Sequence, residues 1–591
     1  MKKITRLLIA NRGEIAVRVI RACRDKAIAS IAIYSDQDRD AVHTQLADEA
    51  YCLEGETAAE TYLNIEKILD IAKLSRADGI HPGYGFLAES PEFAEAVSSA
   101  GITWVGPRAG VIALLADKLS ARKIAEQVGV PVPPGGEHVV SCASEVHNFA
   151  DKYGLPIAIK AAYGGGGLGM KVVKQKKNID ELFASAQREA QAAFGNKECF
   201  IEKYIDRPRH VETQCLADLF GNVQVVSTRD CSVQRRHQKL IEEAPAHTLT
   251  DKQEETLITA SKAVMKAAEY SGAGTCEFLI DQDGKIFFLE VNARLQVEHP
   301  VTEEITGIDL VLEQINIAEG KPLKNLETPV YKGHSLEFRI NAEDANSGFM
   351  PRHGKVVKFE PPGGLGIRID SGIKAGDTIG AAFDSLLCKL IVTGNNRECA
   401  LARARRALDE FVIDGVTTLI PFHRNILNQP DFINGGMYTG WVENEYSKLV
   451  NKQTDASTVP DIQDTLSVSN NLREIIVEVN RKQIRVRLPS PIGEYPTERQ
   501  KPPGRRVGHN FRQKTQEKNP DSIFSPMQAV VVKVNVTEGQ SVKKDDLLIV
   551  LEAMKMEQPI VAPRDGVVEK INAHTGETVP SGHELLRLKK V

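Results

Sequence analysis

The sequence lacks the features that mark several classes of protein. Its nine cysteines are scattered and include no Cys-x-x-Cys pair, which argues against a disulfide framework or a zinc site. No apolar run approaches the roughly 20 residues of a membrane-spanning helix. The apolar run at residues 7–10 is too short for a signal peptide, and charged residues follow it directly. We therefore expect reduced cysteines and a cytoplasmic location.

An excess of positive charge is also missing. The formal net charge is -5 at pH 7 and the isoelectric point lies near 6.3, so no basic surface for nucleic acid or an anionic membrane is indicated. The 591 residues, of which 42% are hydrophobic, are enough to bury more than one core. The composition predicts a multidomain globular protein that binds neither nucleic acid nor membrane.

An internal repeat lies near the C-terminus. Residues 525–551 align with residues 562–588 at a constant offset of 37 positions, with nine identities. Each copy has short β-like runs separated by glycine turns, which predicts a small two-fold sandwich. Lys555 lies in the connecting segment between Met554 and Met556. A solvated turn lysine and a lysine modified by another enzyme both fit this position.

A glycine-rich segment at residues 164–169 lies between two predicted strands, 157–160 and 170–173. It matches the letters of a dinucleotide-binding loop, but a strand follows where a helix N-terminus would have to receive the pyrophosphate. A Walker loop is excluded because Met170 occupies the position of its lysine. Two interpretations remain: a loop that folds over phosphates with Lys160 beside it, or an ordinary surface hairpin.

Acidic and amide side chains gather between residues 275 and 300. Two apolar strands flank an Asp-Gln-Asp-Gly turn, and a hairpin that pairs Asp281 with Gly284 would place Glu277 opposite Phe288 and diagonal to Glu290. The alternation then continues on the same face of the chain through Asn292, Arg294, Gln296 and Glu298. Oxygen ligands so placed predict Mg²⁺, whereas the alternative is an edge strand with a hydrated face. The charged run at 229–239 is similarly either a solvated face or the lining of an anion-binding cleft.

These motifs together resemble a known family. The glycine loop with Lys160, the Glu202-Lys203 pair, the run 235–239 and the segment 290–299 resemble the biotin carboxylase component of acyl-CoA carboxylases, an ATP-grasp enzyme, over about residues 3–445. Ala-Met-Lys-Met within a duplicated β-sandwich resembles a biotinyl domain. The implied fold class is a multidomain α/β protein (ATP-grasp biotin carboxylase) with a C-terminal all-β biotinyl barrel-sandwich.

The resemblance also implies domain boundaries. They are an N-terminal α/β biotin carboxylase subdomain (1–117), an ATP-grasp domain (118–332), a biotin carboxylase C-terminal subdomain (333–447), a short β-containing middle region with a linker (448–520), and a biotinyl carrier domain (521–591). The linker is rich in proline and charged residues, which is typical of an extended tether that moves a carrier between sites.

The resemblance further implies roles for individual residues. Contacts to ATP would come from Lys118, Lys160, Gly165, Gly166, Glu202, Lys203, Tyr204, Ile205, His210, Gln234 and His237. Mg²⁺ or Mn²⁺ would be held by Glu277, Glu290 and Asn292. Bicarbonate would contact Lys239, Arg294, Gln296 and Val297. Glu298 would act as the base, Arg339 would stabilise the biotin enolate, and biotin would be attached to Lys555. One departure is Leu168, which stands where the family usually has Lys or Arg.

The implied function is ATP-dependent carboxylation of biotin on the chain's own carrier domain, with bicarbonate as the carbon source. Implied partners are a separate carboxyltransferase β subunit, which would pass the carboxyl group to acetyl-CoA or propionyl-CoA, and a biotin protein ligase. We expect a homo-oligomer within a hetero-oligomeric complex. Two rivals stay open: the biotin carboxylase subunit of a pyruvate or other oxo-acid carboxylase, and a non-catalytic carrier or scaffold, for which Leu168 is the single support.

Overall fold

A computed structural model describes residues 3–163, 170–446, 472–479, 482–489, 522–525, 529–544, 546–553, 556–579 and 582–589. Gly165, Gly166, Leu168, Lys555 and nearly all of the predicted linker lie outside these described residues. The chain divides into two compact units, one formed by residues 1–447 and one by most of the remaining chain. Each unit is described by itself.

The first unit begins with a five-stranded parallel sheet in the order β3-β2-β1-β4-β5. Strand residues such as Leu8, Ile31 and Ile80 are fully buried, as a parallel sheet covered by helices requires. The predicted strand, helix and strand between residues 7 and 34 are therefore confirmed. The elements are β1 (Arg6–Ile9), α1 (Gly13–Asp25), β2 (Ala29–Tyr34), α2 (Val42–Leu46), β3 (Glu49–Cys52), α3 (Ile65–Leu74), β4 (Gly79–His81), α4 (Pro91–Ser99), β5 (Thr103–Trp104) and α5 (Ala109–Ala116).

The next segment contains the predicted glycine hairpin, whose flanking strands β6 and β7 pair antiparallel in a three-stranded sheet of order β7-β6-β8. Five longer strands, β9 to β13, follow it. The elements are α6 (Lys118–Gln127), α7 (Ala143–Tyr153), β6 (Ile157–Ala161), β7 (Lys171–Val173), α8 (Ile179–Phe194), β8 (Cys199–Lys203), β9 (Arg209–Ala217), β10 (Val223–Arg235), β11 (Gln238–Ala244), α9 (Asp251–Ala267), β12 (Gly272–Ile280), β13 (Ile286–Asn292), α10 (His299–Thr306) and α11 (Leu310–Ala318).

The last part of the first unit adds strands to the same sheet. An eight-stranded antiparallel sheet runs β13-β12-β9-β10-β11-β14-β21-β19, so it crosses the predicted boundary at residue 332. None of the helices in the described parts of the chain is long and apolar enough to cross a membrane. The elements are β14 (His334–Asn341), β15 (Glu343–Asp344), β16 (Met350–Pro351), β17 (Gly354–Lys355), β18 (Lys358–Glu360), β19 (Ile367–Ser371), β20 (Thr378–Ile379), β21 (Leu386–Gly394), α12 (Arg397–Glu410), β22 (Val412–Asp414), α13 (Ile420–Ile426) and α14 (Pro430–Ile433).

The second unit contains the predicted hairpin, β23 paired with β24, and the repeat. The repeat forms two four-stranded sheets, β25-β32-β30-β27 and β29-β28-β26-β31. The offset of 37 residues carries β26 onto β30 and β27 onto β31, and it relates the buried pairs Val531/Val568 and Leu551/Leu588, so the two-fold sandwich is confirmed. The elements are β23 (Leu472–Val479), β24 (Lys482–Pro489), β25 (Ser522–Phe524), β26 (Ala529–Val534), β27 (Ser541–Val542), β28 (Leu547–Ala553), β29 (Met556–Val561), β30 (Gly566–Ile571), β31 (Thr578–Val579) and β32 (Glu584–Lys589).

Candidate active site

A largely buried lysine lies at the centre of the eight-stranded sheet. The ammonium of Lys239, on β11, is 2.5 Å from Glu212 Oε2, 2.8 Å from Glu277 Oε1 and 2.7 Å from Glu298 Oε1. These three carboxylates come from β9, β12 and the residue that precedes α10. Because all three carboxylates accept from Lys239, the acids and the lysine form one buried cluster of paired charges.

The hairpin of β12 and β13 differs from the prediction. Asp281 N–H donates to the Lys285 carbonyl at 3.0 Å, so the loop is one residue longer than the predicted pairing of Asp281 with Gly284 allows. A β-bulge then follows between Phe278, which faces Phe288, and Glu277, which faces Glu290. The predicted pairing of Glu277 with Phe288 is therefore wrong. The two carboxylates lie directly opposite each other rather than diagonally, which strengthens their repulsion.

The predicted metal ligands meet at this point. Asn292 Nδ2 donates to Glu277 Oε1 at 2.8 Å, and Lys118 Nζ lies 3.6 Å from Glu290 Oε2. Burial, together with the carboxylates of Glu277 and Glu89, outweighs Lys118 and raises the pKa of Glu290. A divalent cation would relieve this repulsion, and the carboxylate and amide oxygens present are the ligands that Mg²⁺ prefers. The residues therefore fit such an ion.

The segment after β13 brings the other predicted residues together, although the strand ends at Asn292 and does not continue as the alternation suggested. Arg294 Nη1 donates to Gln296 Oε1 at 3.0 Å, and its Nη2 donates to Asn292 Oδ1 at 3.2 Å. Arg294 Nε is also 3.0 Å from Glu89 Oε2. Short polar contacts within the segment thus replace the strand ladder and hold Arg294 at the edge of the carboxylate cluster.

Glu298 is fully buried between two cations. Its Oε1 accepts from Lys239, and its Oε2 accepts from Arg339 Nη2 at 2.8 Å. Burial alone would raise the pKa of Glu298, but the charges of Lys239, Arg339 and Arg229 outweigh it and hold the pKa well below its usual range. Glu298 is therefore an ionised acceptor enclosed by protein.

Arg339 links Glu298 to a second acid. Its Nε donates to Glu242 Oε1 at 2.6 Å. Burial raises the pKa of Glu242 to about 7, with Arg339 opposing the shift and the neighbouring Glu298 adding to it. Arg339 thus bridges two carboxylates of unequal acidity.

Among the described residues, those predicted to contact ATP lie at the start of α6, on β6, and on or next to β8, β9 and β10. Lys160 contacts Glu202, which Arg122 Nη1 also approaches at 3.2 Å. Lys203 Nζ, by contrast, donates to the carbonyls of Tyr153 and Gly154, each at 3.1 Å. Tyr204 and Ile205 follow β8 and are half-buried.

Two histidines complete this group. His210 Nε2 lies 3.0 Å from Glu277 Oε2, and its Nδ1 is 3.1 Å from Gln234 Nε2. His237 is exposed in the two-residue turn between β10 and β11, where it and Arg236 both have positive φ angles, 66° and 47°. A two-residue type I′ hairpin turn requires positive φ at both central residues, so the tight reversal between β10 and β11 accounts for these angles.

Sequence reasoning missed several charged residues of the site. Arg229 is fully buried on β10, where it contacts Glu212 and donates to Gln214 Oε1 at 2.7 Å. The solvated-face interpretation of residues 229–239 is wrong for residues 229–234, all of which are buried. The available signal was that the charged run begins directly after a predicted strand, which left open that it lines a cleft. No local signal marked Glu89, Glu212 or Glu242, because their partners are distant in sequence.

Comparisons with known proteins agree with this geometry. Family models match in chain order: "Biotin carboxylase, N-terminal domain" at residues 3–112, "Carbamoyl-phosphate synthase L chain, ATP binding domain" at 117–326, "Biotin carboxylase C-terminal domain" at 337–444, and "Biotin-requiring enzyme" at 521–588. The biotin-dependent acyl-coenzyme A carboxylase alpha3 subunit of Mycobacterium leprae is 50% identical over 599 residues, covering 99% of each chain. The chain belongs to the acyl-CoA carboxylase α-subunit family.

Other relatives match about three quarters or more of this acyl-CoA carboxylase chain. One of them, a pyruvate carboxylase subunit of Methanothermobacter thermautotrophicus, is 44% identical, covering 80% of this chain and 97% of that protein. The biotin carboxylase domain of the Hydrogenobacter thermophilus 2-oxoglutarate carboxylase, solved with MgADP, ADP and bicarbonate, has a TM-score of 0.74 at 42% identity, covering 76% of this chain and 99% of that one. The predicted fold class and the ATP-dependent biotin carboxylase fused to a biotin carrier domain are confirmed.

Proposed function

We propose that the site around Lys239 carries out the first half-reaction of an acyl-CoA carboxylase, the ATP-dependent carboxylation of biotin with bicarbonate. The observation that supports this assignment is the enclosure of Glu298 between Lys239 and Arg339, next to the paired carboxylates Glu277 and Glu290. Cations that bind an anionic substrate, a base that accepts its proton and an oxygen-rich metal site are thus within one buried cluster.

In this proposal the nucleotide lies along β8 to β11. Lys118, Lys160, His210, Gln234 and His237 contact ATP, the segment 202–205 holds its adenine, and Gly165 and Gly166 cover its phosphates. Glu277, Glu290 and Asn292 hold Mg²⁺ or Mn²⁺, and the bound ion supplies neutralisation of charge on the phosphates. Support comes from the raised pKa of Glu290, which burial and nearby carboxylates cause and a cation would reverse.

Lys239, Arg294, Gln296 and Val297 are proposed to bind bicarbonate. An incoming anion competes with Glu212, Glu277 and Glu298 for the ammonium of Lys239. As Lys239 turns toward the substrate, the pKa of Glu298 rises from its depressed value, and the carboxylate becomes a better base when its proton donor arrives. The proton removed from bicarbonate moves to Glu298 as the oxygen attacks the γ-phosphate of ATP, the bond between the β- and γ-phosphates breaks, and ADP leaves as carboxyphosphate forms.

Arg339 is proposed to bind the biotin ureido oxygen. Carboxyphosphate would break into CO₂ and phosphate, the phosphate would accept the ureido proton, and bound biotin would supply the ring nitrogen that takes up the CO₂. A guanidinium held on two sides by Glu242 and Glu298 is preorganised to stabilise the negative charge that develops on the neighbouring oxygen. The buried position of both carboxylates keeps water from this region.

We infer that biotin is attached to Lys555 by a biotin protein ligase and that a carboxyltransferase β subunit consumes the carboxyl group. The proposed domains run 1–117, 118–332, 333–447, 448–520 and 521–591, with family-model ranges of similar extent in support. A homo-oligomer within the complex is also proposed. A cytoplasmic location is supported by the nine cysteines, all of which are free.

The test is ATP cleavage by the biotinylated full chain. We expect cleavage that requires bicarbonate, biotin and Mg²⁺, and cleavage independent of bicarbonate would contradict the proposal. Copurification of the β subunit, followed by assays with acetyl-CoA, propionyl-CoA and pyruvate, then identifies the acceptor. Carboxylation of pyruvate alone would favour the second candidate, an oxo-acid carboxylase subunit, for which the similarity to a pyruvate carboxylase subunit is the specific support.

A further inference from the structure

Lys389 is a charged residue with no role in the proposed function, yet it is fully buried. It lies on β21, and its exposed fraction is 0%. Burying an ammonium costs free energy unless charge and hydrogen bonds compensate it, so the contacts of this side chain indicate why it is retained.

The ammonium of Lys389 connects three parts of the biotin carboxylase unit. Its Nζ donates to the backbone carbonyl of Val297 at 2.8 Å, in the segment just before α10. It also lies 3.2 Å from Glu14 Oε2, in the first turn of α1. The centroid of the Tyr84 ring is 5.8 Å away. Strand β21 therefore holds the N-terminal helix and the loop that carries Glu298 at one point.

Lys389 and Arg339 are neighbours in the sheet. They face each other across β14 and β21, and Asp370 faces Lys389 from β19 on its other side. Arg339 holds the Glu298 carboxylate at 2.8 Å, while Lys389 holds the carbonyl of the preceding residue. Two cations on one rung of the sheet thus fix two consecutive residues, one through its side chain and one through its backbone.

We propose that Lys389 is a positioning residue for biotin carboxylation, which orients the Val297–Glu298 peptide so that Glu298 faces the bicarbonate site. The inference rests on the proposed role of Glu298 as base. The planar peptide contains the Val297 carbonyl, the Glu298 amide and the Glu298 Cα, so a hydrogen bond to that carbonyl restrains the point from which the Glu298 side chain leaves the backbone. Burial alone would lower the pKa of Lys389, but the charges of Glu14, Glu337 and Asp370 outweigh it and keep the ammonium protonated.

The competing explanation is that Lys389 only stabilises the fold by pairing with Glu14. The two explanations differ in what happens when both charges are removed. Breaking a buried pair by removing one partner is strongly destabilising, whereas replacing both by uncharged groups of similar size is often neutral. The double variant Glu14→Gln/Lys389→Met is therefore expected to recover thermal stability. Its kcat is expected to stay low, because the hydrogen bond from Lys389 to the Val297 carbonyl is still missing.

The experiment compares Lys389→Met, Glu14→Gln and the double variant in the biotinylated full chain. Turnover is expressed per folded molecule, counted by nucleotide binding, and thermal unfolding is recorded in parallel. We expect the two variants that carry Lys389→Met to lose about 10- to 100-fold in kcat, with the KM for ATP within about twofold. Glu14→Gln keeps the bond to Val297 and is expected to keep kcat within about threefold. Lys26→Met, which breaks a 2.9 Å pair with Glu319, is the matched control for loss of a lysine.

The inference would be overturned by recovery of kcat together with stability in the double variant, or by equal loss of kcat in Glu14→Gln and Lys389→Met. Failure of both Lys389 variants to fold would also overturn it, because the lysine would then be a folding residue. Glu298→Gln, assayed alongside, separates this inference from the proposed function. If Glu298→Gln is inactive and Lys389→Met is fully active, the base assignment stands and the positioning role does not.

Discussion

The eight-stranded sheet of the biotin carboxylase unit buries many charged residues, whereas the biotinyl unit has an apolar interior. Glu212, Arg229 and Glu298 are fully buried in and beside the sheet, and the side chain of Lys239 is 10% exposed. Among the described residues from 522 to 589, Ser525 is the one buried polar residue, and the core consists of Ala, Val, Ile and Leu side chains that recur at the repeat offset. The interior around the sheet thus contains charged residues paired with one another, whereas the interior of the biotinyl unit contains apolar side chains.

This difference teaches what each region contributes. An apolar core stabilises in proportion to the area it buries and has no group that can bind an anion or transfer a proton, so the chemistry of the biotinyl unit must lie in the group it carries. Buried ion pairs add little net stability because their attraction is offset by desolvation. In the sheet these ion pairs hold cations such as Lys239 and Arg339 in place, where a bound anionic substrate can compete with the carboxylates for them.

The largest expected effect is in the biotinyl unit, where Lys555 is the one proposed attachment site for biotin. Replacement of Lys555 by Arg should abolish biotin attachment, because the guanidinium cannot form the amide. Intact-mass spectrometry after coexpression with biotin protein ligase measures the extent of biotin attachment. Lys544→Arg, a lysine of the same domain, is the control and should still gain the mass of biotin. A biotin adduct on Lys555→Arg would show that the attachment site lies elsewhere.

A smaller but still large effect is expected for Glu298 in the sheet. Glu298→Gln keeps the shape and removes the proton acceptor, so bicarbonate-dependent ATP cleavage should fall about 10²- to 10⁴-fold, the usual range for general base catalysis. The KM for ATP should change little because Glu298 lies among the proposed bicarbonate residues. Initial rates at varied bicarbonate measure the effect. Glu126→Gln, at an exposed position on α6, is the control. Wild-type turnover in Glu298→Gln would show that Glu298 is not the base.

The comparison also explains how far the sequence could predict this protein. The biotinyl sandwich follows from local patterns, because the same apolar positions recur in each copy and the structure buries both members of the pairs Val531/Val568 and Leu551/Leu588. The resemblance supplied the set of site residues, and among the described ones the structure brings Lys239, Glu277, Glu290, Asn292 and Glu298 together. Contacts over long sequence distances were not predictable from local pattern: Glu89 meets Arg294, and Lys389 meets Glu14, through the packing of separate segments.

The pairing of Glu277 with Glu290 shows a second limit. Alternation placed both residues on one face correctly, since a strand has a period of two. Their register depended on the length of the loop after Asp281 and on a bulge near Phe278, and neither leaves a clear composition signal. A shift of one residue in a hairpin changes which side chains face each other, so backbone irregularities decide the distances within a site even where the face is known.

The apolar interior of the biotinyl unit gives a third prediction. Leu551→Ala and Leu588→Ala remove equivalent, fully buried side chains from the two copies of the repeat. Each should lower the free energy of unfolding by about 2–5 kcal/mol, the usual cost of such a truncation. Because the copies are related by the two-fold, the two losses should agree within about 1 kcal/mol. Denaturant unfolding measures both, and a much smaller loss for one variant would show that the copies are not energetically equivalent. Val530→Ala, at a partly exposed position on β26, is the control.

The smallest expected effect concerns a buried imidazole behind Arg339. His423 is fully buried, its Nε2 is 2.8 Å from the Arg339 carbonyl, and burial lowers its pKa to about 4. In the unfolded chain the imidazole is protonated as the pH falls below about 6.5, whereas in the folded chain it stays neutral until about pH 4. Its contribution to the free energy of unfolding is therefore fully present above about pH 6.5 and is lost as the pH falls from about 6.5 to about 4.

Relative to His423→Gln, the wild-type chain should therefore lose about 3 kcal/mol of unfolding free energy between pH 7 and pH 4. Denaturant unfolding of both proteins across this range measures the difference, and taking the difference cancels every other group that titrates equally in both. His574→Gln, at an exposed position of the biotinyl unit, is the matched control for the loss of a histidine. If this difference did not change between pH 7 and pH 4, His423 would be protonated as readily in the folded chain as in the unfolded chain. Burial behind Arg339 would then not disfavour its charged form.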